Sequence, residues 1–110
     1  MFKQSNRLTK KKDLERVFQQ GQAHYTSLLG IKTLSNNLNK NRITVIVNLK
    51  VSKKAVARNK VKRQVRQALK EFSIKSGYDI IVICLPPIIE NGYKEIESAV
   101  KQALSKLKLI

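Results

Sequence analysis

The sequence predicts an α+β domain, a two-layer sandwich with the element order α-β-β-(β)-α-β-α, and three stretches carry that prediction. In residues 57–72, Ala57, Val61, Val65, Ala68, Leu69 and Phe72 fall within an arc of about 120° on a helical wheel. Residues 43–51 alternate, with Ile43, Val45, Val47, Leu49 and Val51 on one face and Thr44, Ile46, Asn48 and Lys50 on the other, as in a half-buried strand. Residues 78–85 (YDIIVICL) are rich in β-branched side chains with no polar alternation, the pattern of a strand covered on both faces.

Taken in order, residues 1–8 read as a basic, loosely held arm, and the whole of 1–110 as a single domain, since this length supports one core and not two. Thr9 is the expected N-cap of a helix over about 10–20, with Leu14, Val17 and Phe18 inward and Gly21 as its stop. Lys10, Lys11 and Lys12 in its first turn oppose the helix dipole, a local cost that points to a role as contacts. A strand is expected from Ala23 to Leu34 with Leu29 and Ile31 toward the core. A turn cluster, SNNLNK, then leads into the alternating strand, which should pair antiparallel with the first and could break near Asn48 into two. The second helix spans about 56–73. After the apolar strand and the Pro86-Pro87 stop, a last helix over about 93–108 turns Ile96, Ala99, Val100, Ala103, Leu104 and Leu107 inward. Lys94, Lys101 and Lys108 form a weaker basic stripe on it.

Charge narrows the function. The net charge is +16, and residues 1–72 hold 18 basic and 3 acidic side chains, with no acid between Glu15 and Glu71. Lys53, Lys54, Arg58, Asn59, Lys60, Lys62, Arg63, Arg66 and Lys70 lie on or beside the polar side of the second helix. Like charges at i,i+4 (Arg58/Lys62, Lys62/Arg66, Arg66/Lys70) each cost a few tenths of a kcal/mol. A charge run is usually a solvated face, but such a face intersperses acids, and this one has none. A polyanion is its natural partner. A membrane surface is a poorer fit, because the helix's apolar stripe is short and needed for the core. No apolar run approaches a membrane span, and MFKQSNRLTKKK lacks the apolar core of a secretory signal, so the expected location is cytoplasmic.

Autonomous catalysis is not expected. The seven acids do not cluster as a two-metal nuclease requires, and the one histidine, His24, lacks a second histidine or an obvious carboxylate orienter, which leaves a strand-edge role. The four glycines make no phosphate-binding loop. The one cysteine, Cys84, lies in the apolar run as an inert core thiol. Among binding modules, a strand ahead of the basic helix argues against a helix-turn-helix, and the six aromatic residues do not suggest a stacking platform. The ridge suits the phosphates and shape of a folded RNA.

The run Ser52-Lys53-Lys54, then Ala57-Arg58-Asn59-Lys60-Val61-Lys62-Arg63, then Val65-Arg66-Gln67-Ala68, closely resembles the signature of the protein subunit of bacterial ribonuclease P. Asn6-Arg7-Leu8, the helix ending in Val17-Phe18, and the element order are also similar to that family. The resemblance implies a mixed four-stranded sheet with a left-handed βαβ crossover (ribosomal protein S5 domain 2-like), against the strong right-handed preference of such units. It implies that an RNA subunit hydrolyses precursor tRNA using Mg2+, with no dedicated metal site in the protein. The protein, one per RNA, would stabilise that RNA and hold the 5′ leader. Carried over by position, Arg58, Asn59, Lys60, Lys62, Arg63 and Arg66 would face the RNA with Lys53 and Lys54 at the same edge and Lys70 extending the ridge. Leu14, Phe18, Leu29, Lys32 and Lys50 would form the leader cleft.

The sequence departs from the family's pattern in four places. Lys60 stands where Arg is usual, which keeps charge but not bidentate geometry. The spacer Ala55-Val56-Ala57 is about three residues short, and Asn48 stands for a glycine. Leu14, Leu29 and Lys32 replace rings, so leader gripping is expected to rely more on charge than on stacking. A structural RNA-binding protein of ribosomal type with the same fold is the alternative.

Overall fold

A computed structural model describes residues 7–110. Helix α1 (Lys11–Gln20) is followed by strands β1 (Gln22–Tyr25), β2 (Leu29–Ser35) and β3 (Arg42–Ile46), helix α2 (Ala55–Lys70), strand β4 (Tyr78–Cys84), a 3-10 turn (Pro86–Glu90) and helix α3 (Tyr93–Lys106). The four strands form one sheet in the order β1-β2-β4-β3. Strand β4 is antiparallel to β2 and parallel to β3. The sheet is therefore mixed, as expected, and α2 connects its parallel pair.

Three expectations about the strands change. The stretch from Ala23 to Leu34 is a hairpin and not one strand, because the Thr26 hydroxyl accepts from the backbone N–H groups of Leu28 and Leu29 and turns the chain. Strand β3 does not pair with β2, since β4 lies between them. The alternation from Ile43 to Val51 holds only through Val47: the strand ends at Ile46, and Leu49 is 65% exposed in the turn that follows.

Strand β4 explains its own composition. Ile80, Val82 and Cys84 join Leu29, Ile31, Ile43 and Val45 on one face, where they meet Val61, Val65 and Leu69 of α2 and Ile96, Val100 and Leu104 of α3. Ile81 on the opposite face packs with Leu8 and Val17, flanked by Leu14, Leu34, Ile46 and Ile83. Cys84 is 2% exposed, and burial pushes its thiol pKa up to about 12, with only a weak opposing pull from Lys62. Iodoacetamide at neutral pH is expected to label Cys84 only after denaturation, because the thiolate is the reactive form. Rapid labelling of the native protein would contradict this packing.

Helix α1 begins one residue later than expected, with Lys10 and not Thr9 at the N-cap and no side-chain capping bond. Gly21 ends it, through extended backbone and not a left-handed turn. A Cβ at Gly21 would lie 2.5 Å from the Val17 carbonyl and 2.8 Å from that of Thr33, so glycine is needed for close approach. The expected arm over residues 1–8 is corrected where it is described: Arg7 bridges to Ile43 in parallel, Leu8 N–H donates to the Ile43 carbonyl, and the Leu8 side chain is 1% exposed. Residues 1–6 of that arm lie outside the described residues.

Candidate nucleic-acid interface

Helix α2 buries Val61, Val65, Ala68 and Leu69 against the sheet. The 3.6-residue period then leaves Arg58, Asn59, Lys60, Lys62, Arg63, Arg66 and Lys70 on its outer and lateral surface. Among the described residues no carboxylate pairs with Arg58, Lys60, Lys62, Arg63 or Arg66. Asn59, Lys62, Arg63, Arg66, Gln67 and Lys70 line a groove of about 280 Å³. A second groove of about 210 Å³ runs between α2 and the edge of β3, where Arg7 and Thr9 meet Lys62 and Arg66. Arg7 thus extends the basic surface, a placement hidden in the sequence because it depends on pairing with residue 43.

The short spacer starts the helix at once. Ser52 accepts the Lys54 N–H through its hydroxyl at 3.2 Å, and its carbonyl accepts from the Arg58 guanidinium at 2.9 Å. Arg58 therefore holds the lead-in loop as well as adding charge. Lys53 and Lys54 are exposed at the helix start. Lys10, Lys11 and Lys12 are also exposed, and Lys11 makes a weak surface pair with Glu15 at 4.0 Å.

The other face of the sheet forms a cleft beside α1. Phe18 is 41% exposed, and the Lys32 ammonium stands 5.2 Å from its ring centroid and donates to the Phe18 carbonyl at 3.4 Å. Leu14 is half-buried on the same side. Leu29 does not belong to this cleft: it is fully buried with α2 and α3, because alternation along β2 sends Leu29, Ile31 and Thr33 to that face and Gly30, Lys32 and Leu34 to this one. Lys50 sits in the exposed turn between β3 and α2, not on the sheet beside Phe18 and Lys32. His24 lies on β1, the edge strand, with a buried Nε2 that makes no hydrogen bond.

A buried ion network fixes α1 over the sheet. Asp79 is fully buried and accepts from Arg42 at 2.8 and 2.7 Å, from Asn36 at 3.0 Å and from Arg16 at 3.3 Å. Arg42 also pairs with Asp13 of α1 at 3.0 Å. Desolvation pushes the Asp79 pKa up, but Arg42, Asn36 and Arg16 outweigh it and hold the carboxyl below its usual range. With arginines on both Asp13 and Asp79, this donor set does not suit a divalent cation.

The chain matches the Ribonuclease P family model over residues 2–108. It is 41% identical to the ribonuclease P protein component of Alkaliphilus metalliredigens over 108 residues, covering 96% of each chain. It is 37% identical to that of Dehalococcoides mccartyi strain CBDB1, over 99% of this chain and 90% of the relative. Among solved structures, the RNase P protein of Staphylococcus aureus superposes with a TM-score of 0.85 at 27% identity, over 94% of this chain and 96% of the other. That of Thermotoga maritima gives 0.79 at 26% identity, again over 94% and 96%.

Proposed function

The chain belongs to the ribonuclease P protein family, and from that premise we propose that α2 docks on the ribonuclease P RNA while the cleft beside α1 holds the 5′ leader of precursor tRNA. In this reading the RNA, with Mg2+, removes the leader, and the protein supplies binding and orientation without a catalytic group of its own. The observation that carries it is the α2 ridge, along which Arg58, Lys60, Lys62, Arg63 and Arg66 have no carboxylate partner among the described residues. Cations arranged in that way position a phosphate backbone and read no base sequence, which suits a large folded RNA. The half-exposed Phe18 with Lys32 across its ring supports single-strand binding on the opposite face, since rings and cations together hold unpaired bases and their phosphates.

The test is cleavage of precursor tRNA at low Mg2+ by the cognate RNA with and without the protein; strong stimulation is expected. RNA binding without stimulation would favour the structural, ribosomal-type reading. Affinity for the RNA should also fall steeply with salt: six phosphate contacts give a log–log slope of about −4 to −5. A flat response in a salt titration would remove the electrostatic basis of the proposal.

A further inference from the structure

The open end of the α1 face carries a second ring. Tyr25 is the partner of Gly30 across the β1–β2 ladder, and its ring rests on that glycine. A Cβ at Gly30 would collide with Cδ1, Cε1 and Cγ of Tyr25. Three consecutive ring atoms so near one point mean that the ring lies face-down on the backbone, where only glycine leaves room for it. Tyr25 is nevertheless 50% exposed, so its outer face is open. The ring is held in place before any ligand arrives, and a flat group docking on it costs little further side-chain entropy.

The surroundings favour single-stranded RNA. Along the same row across the sheet, Gly30 neighbours Ile83 and Ile83 neighbours Ile46, both half-buried on this face. From Ile46 the chain runs directly into the loop that bears Lys53 and Lys54. Two residues along β2 from Gly30, roughly 7 Å away, Lys32 holds its ammonium over Phe18. Two rings flanking a lysine, with no acid in the row, present stacking surfaces for bases and a charge for the phosphate between them.

We propose that Tyr25, seated on Gly30, stacks an unpaired leader base, so that the leader has two ring stations, Tyr25 and Phe18, with Lys32 at the phosphate between them. This rests on the leader-cleft reading above. It also revises the expectation that stacking is weak here: the ring missing at position 32 is replaced from the neighbouring strand.

The experiment uses the reconstituted holoenzyme and compares its affinity for precursor tRNA with a long leader and with a one-nucleotide leader. Tyr25→Leu is expected to lower that ratio about five- to tenfold, and Tyr25→Phe to preserve it. In the unaltered protein, an abasic substitution at one leader position should reproduce the loss, and Tyr25→Leu should add nothing further on that substrate. If Tyr25→Leu keeps the ratio while Phe18→Ala lowers it, the Tyr25 station is overturned and the cleft stands. If neither variant changes the ratio, the cleft reading itself fails.

Discussion

Replacing Lys62, Arg63 and Arg66 together by alanine is expected to weaken binding to the ribonuclease P RNA roughly a hundredfold and to abolish stimulation of cleavage at low Mg2+. The three side chains line one groove on α2, and none has a carboxylate partner among the described residues, so their removal leaves no buried charge behind. Alanine is also a good helix former, and the stripe of Val61, Val65 and Leu69 stays intact. At about 1 kcal/mol for each lost phosphate contact the sum is near 3 kcal/mol. The salt slope should flatten by about 2 to 3. Arg58 is left out because it also holds the Ser52 carbonyl, and its loss would confuse charge with loop order. Filter binding across a salt series is decisive: a triple variant with the original slope would show that α2 is not the RNA-facing surface.

The second large effect is on stability. Asp79→Asn is expected to destabilise the fold by about 3–5 kcal/mol, because Arg42 and Arg16 would lose the buried anion they share. Arg42 would keep only Asp13, and α1 would lose its charged tie to β4. The pH dependence follows from the lowered carboxyl pKa. The folded state gains relative to the unfolded chain wherever the unfolded aspartate is ionised, above about pH 4, and that gain is lost as pH falls through the folded-state value. Urea denaturation at several pH values should therefore show a gap between the two proteins that is constant near neutrality and narrows in acid. A gap below 1 kcal/mol at pH 7 would mean that the network contributes specificity and little stability.

Much of this was legible in the chain itself, for a physical reason: periodicity reports which face of an element is buried. The α2 stripe, the α3 stripe and the doubly covered β4 all follow from it. Periodicity does not report neighbours. Nothing local in Arg42–Ile46 says that β4, and not β2, lies beside it. Parity does decide faces: Leu29 and Ile31 are both on the core side, as their spacing predicts, and that same parity keeps Leu29 out of the cleft to which the family resemblance assigned it. The hairpin between β1 and β2 was hidden because its turn uses the Thr26 hydroxyl in place of glycine or proline. Asp79 looked like one acid in an apolar strand, and its partners lie 37, 43 and 63 residues away. Tyr25 looked like an isolated ring until the ladder set it on Gly30.

The strand order has a consequence for how the chain is made. Strand β4 pairs with both β2 and β3 and carries the middle of both cores, yet it is the last strand to leave the ribosome. Until Tyr78–Cys84 emerges, the β1–β2 hairpin and the α2 stripe have no common surface to condense on, and more than two-thirds of the chain waits with its positive charge repelling itself. Such non-local closure is slow. The α2 segment, with like charges along it and no sheet to pack on, has little to hold it helical until β4 arrives.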